Sequence, residues 1–179
     1  MPTYVALLRG INVGGHNRVR MADLRALLEG LGYADVRTLL QSGNAVFTAP
    51  TRSAASVSGA VATAIRAELD MDVDVVVRTG AELAVVLAHD PFDGRATDDS
   101  RYLVAFLAKG PPASWLSNID RESYAPEEVA VVAKHIYLWL PHGVQDSRLA
   151  RTVTDKKLGG TSTMRNRRTV EKLAEMAGA

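Results

Sequence analysis

Val36-Arg37-Thr38-Leu39-Leu40-Gln41-Ser42-Gly43-Asn44-Ala45-Val46-Phe47-Thr48 is the stretch on which the fold turns. Two apolar runs, Val36 to Leu40 and Ala45 to Thr48, flank Gln41-Ser42-Gly43-Asn44, and Gly43-Asn44 tolerate the positive φ that a tight hairpin needs. The runs therefore read as neighbouring antiparallel strands. Upstream, Met21, Leu24, Leu27, Leu28 and Leu31 recur at helical spacing, and Gly32 stands where a C′ glycine would stop a helix over 21–31. Before that helix, Thr3 to Arg9 is a short apolar run ended by glycine, the pattern of a buried strand. Downstream, Ser53 is a fitting N-cap for a helix to Leu69, with Val57, Val61, Ile65 and Leu69 four residues apart, and Val73 to Arg78 is the next strand. The order βαββαβ is the ferredoxin-like arrangement, an antiparallel sheet backed by two helices.

Past this unit the punctuation changes. Thr79 and Glu82 form a capping-box pattern for a short helix through Leu87, and residues 89–100 are polar and turn-rich, as expected of a linker. Beyond it, Tyr102 to Leu107 predicts a strand, Pro112 to Ile119 a short helix, and Glu128 to Ala133 and His135 to Leu140 two more strands. A helix from about Val144 to Leu158 and a last helix over Met164 to Ala177 complete the reading. The expected fold is α+β: two ferredoxin-like (βαββαβ-type) subdomains with antiparallel sheets backed by helices. The N-terminal subdomain with its trailing helix spans 1–88, the linker 89–100 and the C-terminal α+β subdomain 101–179. The second half is expected to end in a helix where the first ends in a strand.

With 179 residues, 47% of them hydrophobic, the chain can bury a substantial core. It has no cysteine, which excludes disulfides, thiolate nucleophiles and cysteine zinc sites. Its start has no basic n-region and no apolar stretch reaches spanning length, so the expectation is a cytoplasmic protein without membrane contact. The net charge is +1, unevenly spread. Residues 9–20 hold Arg9, Arg18 and Arg20 and no acid, and residues 155–172 hold Lys156, Lys157, Arg165, Arg167, Arg168 and Lys172 against Asp155 and Glu171. If folding joined these segments they would form an anion-attracting cleft.

Arg9-Gly10-Ile11-Asn12-Val13-Gly14-Gly15-His16-Asn17 gathers glycines, amides and cations directly after the first strand. The spacing from Gly10 to Gly15 is that of a phosphate loop, but His16-Asn17 stands where that motif needs Lys and Ser or Thr, and the glycines do not make a dinucleotide fingerprint. A backbone nest for an anion, with Arg9 or Arg18 as partner, remains. Gln41, Ser42 and Asn44 offer polar groups beyond what a turn requires. Ser162 or Thr163 reads as the N-cap of the last helix. Basic residues in its first turn, Arg165 to Arg168, oppose the helix dipole unless an anion relieves them. His16, His89, His135 and His142 lack metal-ligand spacing, so no metal site is expected, and no catalytic constellation or cofactor is assigned.

Leu8 to Asn17, Met21-x-x-Leu24-Arg25, Gln41-Ser42-Gly43-Asn44, Tyr137-Leu138-x-x-Pro141-x-Gly143, Lys157-Leu158-Gly159 and Thr163-x-Arg165-Asn166-x-x-Thr169-Val170 together resemble domain of unknown function (DUF) family 1697. The resemblance implies a cytoplasmic bacterial protein of two ferredoxin-like α+β subdomains, and it supplies no reaction. The chain departs from the family pattern around Leu40, where an aromatic is usual nearby, and at Arg167, where relatives typically carry tryptophan. The leading expectation is a cleft for a small anionic, phosphate-bearing ligand. It would be formed by Arg9, Asn12, Gly14, Gly15, Asn17, Gln41, Ser42, Asn44, Arg165 and Asn166. Nucleic-acid binding is the second expectation, opposed by a pI of only 8.1 and by the absence of an RNA-binding aromatic motif. A structural protein in which these segments lock two subdomains together is the third.

Overall fold

The computed structural model describes all residues, 1–179. The elements run β1 (Thr3–Leu8), α1 (Met21–Gly30), β2 (Ala34–Leu39), β3 (Asn44–Thr48), α2 (Ala54–Leu69), β4 (Val75–Thr79) and α3 (Gly80–Ala88). They continue with β5 (Tyr102–Leu107), α4 (Ala113–Ser117), α5 (Arg121–Tyr124), β6 (Glu128–Val132) and β7 (His135–Trp139). A 3-10 turn at Ala150–Thr152 leads to α6 (Asp155–Leu158), β8 (Ser162–Asn166) and α7 (Arg167–Ala177). The chain divides into two compact units: Met1–Ala84 with Lys172–Ala179, and Val85–Glu171. Residues 89–100 contain neither helix nor strand and belong to the second unit.

The first unit is an antiparallel sheet in the order β2-β3-β1-β4. β1 is central because five of its six residues, Tyr4 to Leu8, are apolar and buried, whereas β2, with Arg37 and exposed Ala34 and Asp35, takes the edge. Strand periodicity sends Tyr4, Ala6 and Leu8 to one face with Ala45, Phe47, Val75 and Val77. There they meet Leu24, Leu27 and Leu28 of α1 and Val57, Val61 and Ile65 of α2. Burying each such aliphatic side chain stabilises the fold by roughly 1.5–3 kcal/mol. Ser53 caps α2, its Oγ accepting from the Ser56 N–H at 3.1 Å. The capping box of α3 also forms: the Thr79 N–H donates to Glu82 Oε2 at 2.8 Å and the Glu82 N–H to Thr79 Oγ1 at 3.2 Å.

The second unit repeats this topology, with sheet order β6-β7-β5-β8. Its core joins Leu103, Ala105 and Leu107 of β5 to Ile136 and Leu138 of β7, under Trp115, Leu149, Val153 and Leu158. Here two expectations fail. The last helix begins at Arg167, not Met164, because Ser162–Asn166 pairs along β5 from Leu107↔Ser162 to Leu103↔Asn166. A central strand needs a second neighbour for its backbone groups, and that need overrides the local helix-start signal. The second unit therefore ends its sheet in a strand as the first does. The helix expected over Val144 to Leu158 is also absent as such, reduced to the 3-10 turn and α6. Side chains satisfy its backbone donors instead: Glu127 Oε2 accepts from the Leu149 N–H at 3.1 Å and Ser147 Oγ from the Ala150 N–H at 2.8 Å.

Candidate functional site

The loop after β1 is a small hairpin. Val13 and His16 bridge, the His16 N–H donating to the Val13 carbonyl at 3.2 Å, and Gly14 and Gly15 between them take φ of 60° and 80°. Two consecutive positive φ values define a mirror-type turn that side-chain-bearing residues resist, so these glycines shape the chain. Asn12 and Asn17 are also left-handed, at φ 55° and 49°. Asn12 clamps the loop: its Nδ2 donates to the carbonyls of Val19 at 2.9 Å and Gln41 at 2.6 Å, and its Oδ1 accepts from the Val19 N–H at 2.9 Å. Asn17 Nδ2 reaches the Gly10 carbonyl at 3.4 Å. Arg9 lies 3.8 Å from the Asp74 carboxylate, beside the hydrogen bond from its N–H to the Asp74 carbonyl.

Asn12, Gly15 and Gln41 come together on a cavity of about 580 Å³ with Arg18, Arg20 and Arg25. Three arginines thus line one space beside the N-terminus of α1. Arg20 is the N-cap residue, and no side chain caps the helix, whose first N–H groups have no partner within it. The cations are held differently. Arg20 forks onto Asp23 with bonds of 2.8 and 2.7 Å. That hydrogen bond, more than charge attraction, holds the Asp23 carboxyl below its ordinary range. Arg25 donates to Thr38 Oγ1 at 2.8 Å. Its position one turn into α1 lets its side chain lean back over the helix start. Arg18 is exposed. From sequence alone Arg18 is only an alternative partner of the loop, and Arg20 and Arg25 stand outside the expected site. The available signal was the acid-free run at 9–20, extended by one helical turn.

Of the hairpin residues, Gln41 lines the cavity, whereas Asn44 is buried and donates to the Leu39 carbonyl at 3.0 Å and Ser42 Oγ at 2.9 Å. Gly43 is held by close approach, since a Cβ there would lie 2.7 Å from Leu8 Cβ and 2.8 Å from Ile11 Cδ1.

Arg165 and Asn166 lie on β8 of the second unit, not at a helix start. Arg165 donates to Thr163 Oγ1 at 2.8 Å and to the Met164 carbonyl at 2.7 Å, and burial pushes its pKa down to about 10. It remains a cation at neutral pH. Asn166, rather than Ser162 or Thr163, caps α7, its Oδ1 accepting from the Thr169 N–H at 2.9 Å. The Arg167 guanidinium stacks 5.1 Å from the Tyr102 ring centroid. It also bonds Glu171 at 3.1 Å and the Leu87 carbonyl at 3.1 Å, so its charge at the helix start is offset by protein groups.

A model of the family described as "Protein of unknown function (DUF1697)" matches residues 1–137, which include the hairpin loop, the cavity and the Gln41–Asn44 turn. The chain belongs to family DUF1697. No curated protein matches it. Among solved structures, a conserved bacterial protein from Streptococcus pneumoniae aligns with a TM-score of 0.78 at 23% identity, covering 98% of each chain. At that identity the likeness speaks for the fold alone. The fold of this chain is thus two four-stranded antiparallel sheets backed by helices. No helix of this DUF1697 protein is long and apolar enough to cross a membrane.

Proposed function

We propose that the protein binds a small phosphate-bearing anion in the first unit, at the cavity between the Asn12–Arg18 loop, the start of α1 and Gln41. The observation that carries this reading is the convergence of Arg18, Arg20 and Arg25 on one space of about 580 Å³, a volume typical of small-molecule sites. Asp23 offsets one of the three charges. Arg18 and Arg25 then supply the cations, the α1 N-terminus adds its dipole, and Gln41 offers an amide to a neutral group of the ligand. Asn12, Gly14, Gly15, Asn17, Ser42 and Asn44 support the site by fixing its loops. Arg9 pairs with Asp74, and Arg165 and Asn166 have their own partners in the second unit, so this proposal does not use them.

Thermal unfolding with phosphorylated metabolites tests the reading. A ligand at a hundred times its Kd should add about 2.7 kcal/mol of stability to the wild type. Arg18→Ala and Arg25→Ala should lose most of that gain while keeping their unliganded melting temperature within a few degrees. Equal ligand shifts in the wild type and both variants would rule the cavity out.

A further inference from the structure

We infer that the open edge of the second unit's sheet binds an extended peptide segment carrying a basic residue among apolar ones, and adds it as a strand beside β6. β6 is an edge strand, bonded through its backbone to β7 and to no strand on its other side. Backbone donors and acceptors on that side can pair with an incoming chain. A cavity of about 540 Å³, lined only by residues of the second unit, lies against the same edge, and Glu128, Val129 and Ala130 all line it. Successive strand residues point to opposite faces. Glu128 shares a face with Trp139 and Tyr102, and Tyr102 meets the Phe92 ring edge-on at 5.3 Å. Val129 lies on the other face, in the core that holds Leu149. Phe92 and Leu149 both line the cavity, so it draws wall from both faces and wraps round the edge. An extended chain beside β6 would send alternate side chains into each half.

Charge sets the class of partner. Arg95 forks onto Glu128 at 2.8 and 3.2 Å, which neutralises both. Half-buried Glu127 meets only the Leu149 N–H, at 3.1 Å, and neither it nor Glu122 is held in an ion pair. Against these two carboxylates the cavity sets one further cation, exposed Arg121, so its unpaired charge is negative. A second copy's β6, Glu-Val-Ala-Val-Val, brings no cation to this edge. A segment with Lys or Arg complements it.

NMR titration of the full, nitrogen-labelled chain with acetyl-Thr-Val-Lys-Val-Thr-amide tests this. Amide shifts should gather on Glu128 to Val132 and on the cavity residues. Two further peptides, N-methylated on alternate residues in opposite phase, read the backbone directly, because a strand adds through one edge. One should lose about tenfold in affinity, the loss expected for two hydrogen bonds, and the other should bind as before. Exchanging the peptide's Lys for Glu should weaken binding about fivefold. Glu127→Gln, which keeps an acceptor for the Leu149 N–H, should weaken the Lys peptide about threefold. Equal affinity of the two N-methylated peptides would overturn the inference, and binding of lysine amide as tight as that of the peptide would replace it with a small organic cation. Absence of shifts at millimolar peptide, or self-association through β6 without peptide, would also overturn it.

Discussion

Asp23 stands where α1 most needs an acid. Arg18 and Arg20 place positive charge against the positive end of the helix dipole, and Asp23, in the first turn, offsets it. Its carboxyl is held low by the hydrogen bond from Arg20. A group whose pKa falls on folding contributes stability above its unfolded pKa and loses it as the pH drops through the folded value. Arg20→Ala should therefore raise the Asp23 pKa toward the ordinary carboxylate range and remove its share of the acid-sensitive stability, as carbon-detected NMR titration would show. An unmoved Asp23 titration would mean that the bond does not persist in solution. A second residue-scale prediction concerns two tyrosines whose phenols burial pushes up to about 12. The Tyr137 hydroxyl donates to the Val86 carbonyl at 3.1 Å, while the buried Tyr102 hydroxyl has no hydrogen-bond partner. Removing an unsatisfied group should help and removing a satisfied one should cost. Tyr102→Phe should thus stabilise, and Tyr137→Phe destabilise, each by about 1 kcal/mol in chemical denaturation. Losses of equal size in both would contradict the assignment.

At the scale of elements, the β2–β3 turn is the most constrained piece of the first unit. Gly43 combines a φ of 77° with a site where a methyl group would overlap Leu8 and Ile11. The left-handed conformation and the overpacking together predict that Gly43→Ala destabilises by about 3 kcal/mol, measurable by urea unfolding. A loss below about 1 kcal/mol would show that the turn relaxes freely. This hairpin was legible because its determinants are local: glycine and asparagine between two β-prone runs. β8 was not. Ser162-Thr163 before Met164-Arg165-Asn166 looks like a cap followed by a helix, and the segment is a strand only because β5 lies sixty residues away needing a partner. The site divides along the same line. Gly15 and Gln41 could be read from composition, but Arg25 joins them only once α1 is folded and its side chains lean toward the helix start.

For the whole molecule, the two units share the βαββαβ order and the same sheet order, although no residue-level repeat links them. A common topology can be reached by different residues as long as central strands are apolar and edge strands tolerate charge, and this is why fold class was readable here while the ligand was not. Charge follows a different rule. A net charge of +1 gives the chain almost no long-range pull on an anion, so the proposed binding would draw on the local cluster of Arg18, Arg20 and Arg25. Such a cluster, open to solvent, is screened over about 8 Å at physiological ionic strength. Raising NaCl from about 0.05 to about 0.5 M should therefore weaken phosphate-ester binding by about tenfold. Arg18→Ala should reduce both the affinity and its salt dependence. Arg66→Ala, which removes an exposed cation of α2 paired with Asp72, should leave both as they are. Calorimetric titrations at three salt concentrations make the comparison. If Arg66→Ala changed the salt dependence as much as Arg18→Ala, the attraction would belong to the charge of the whole surface, and the cavity would have no special claim on the anion.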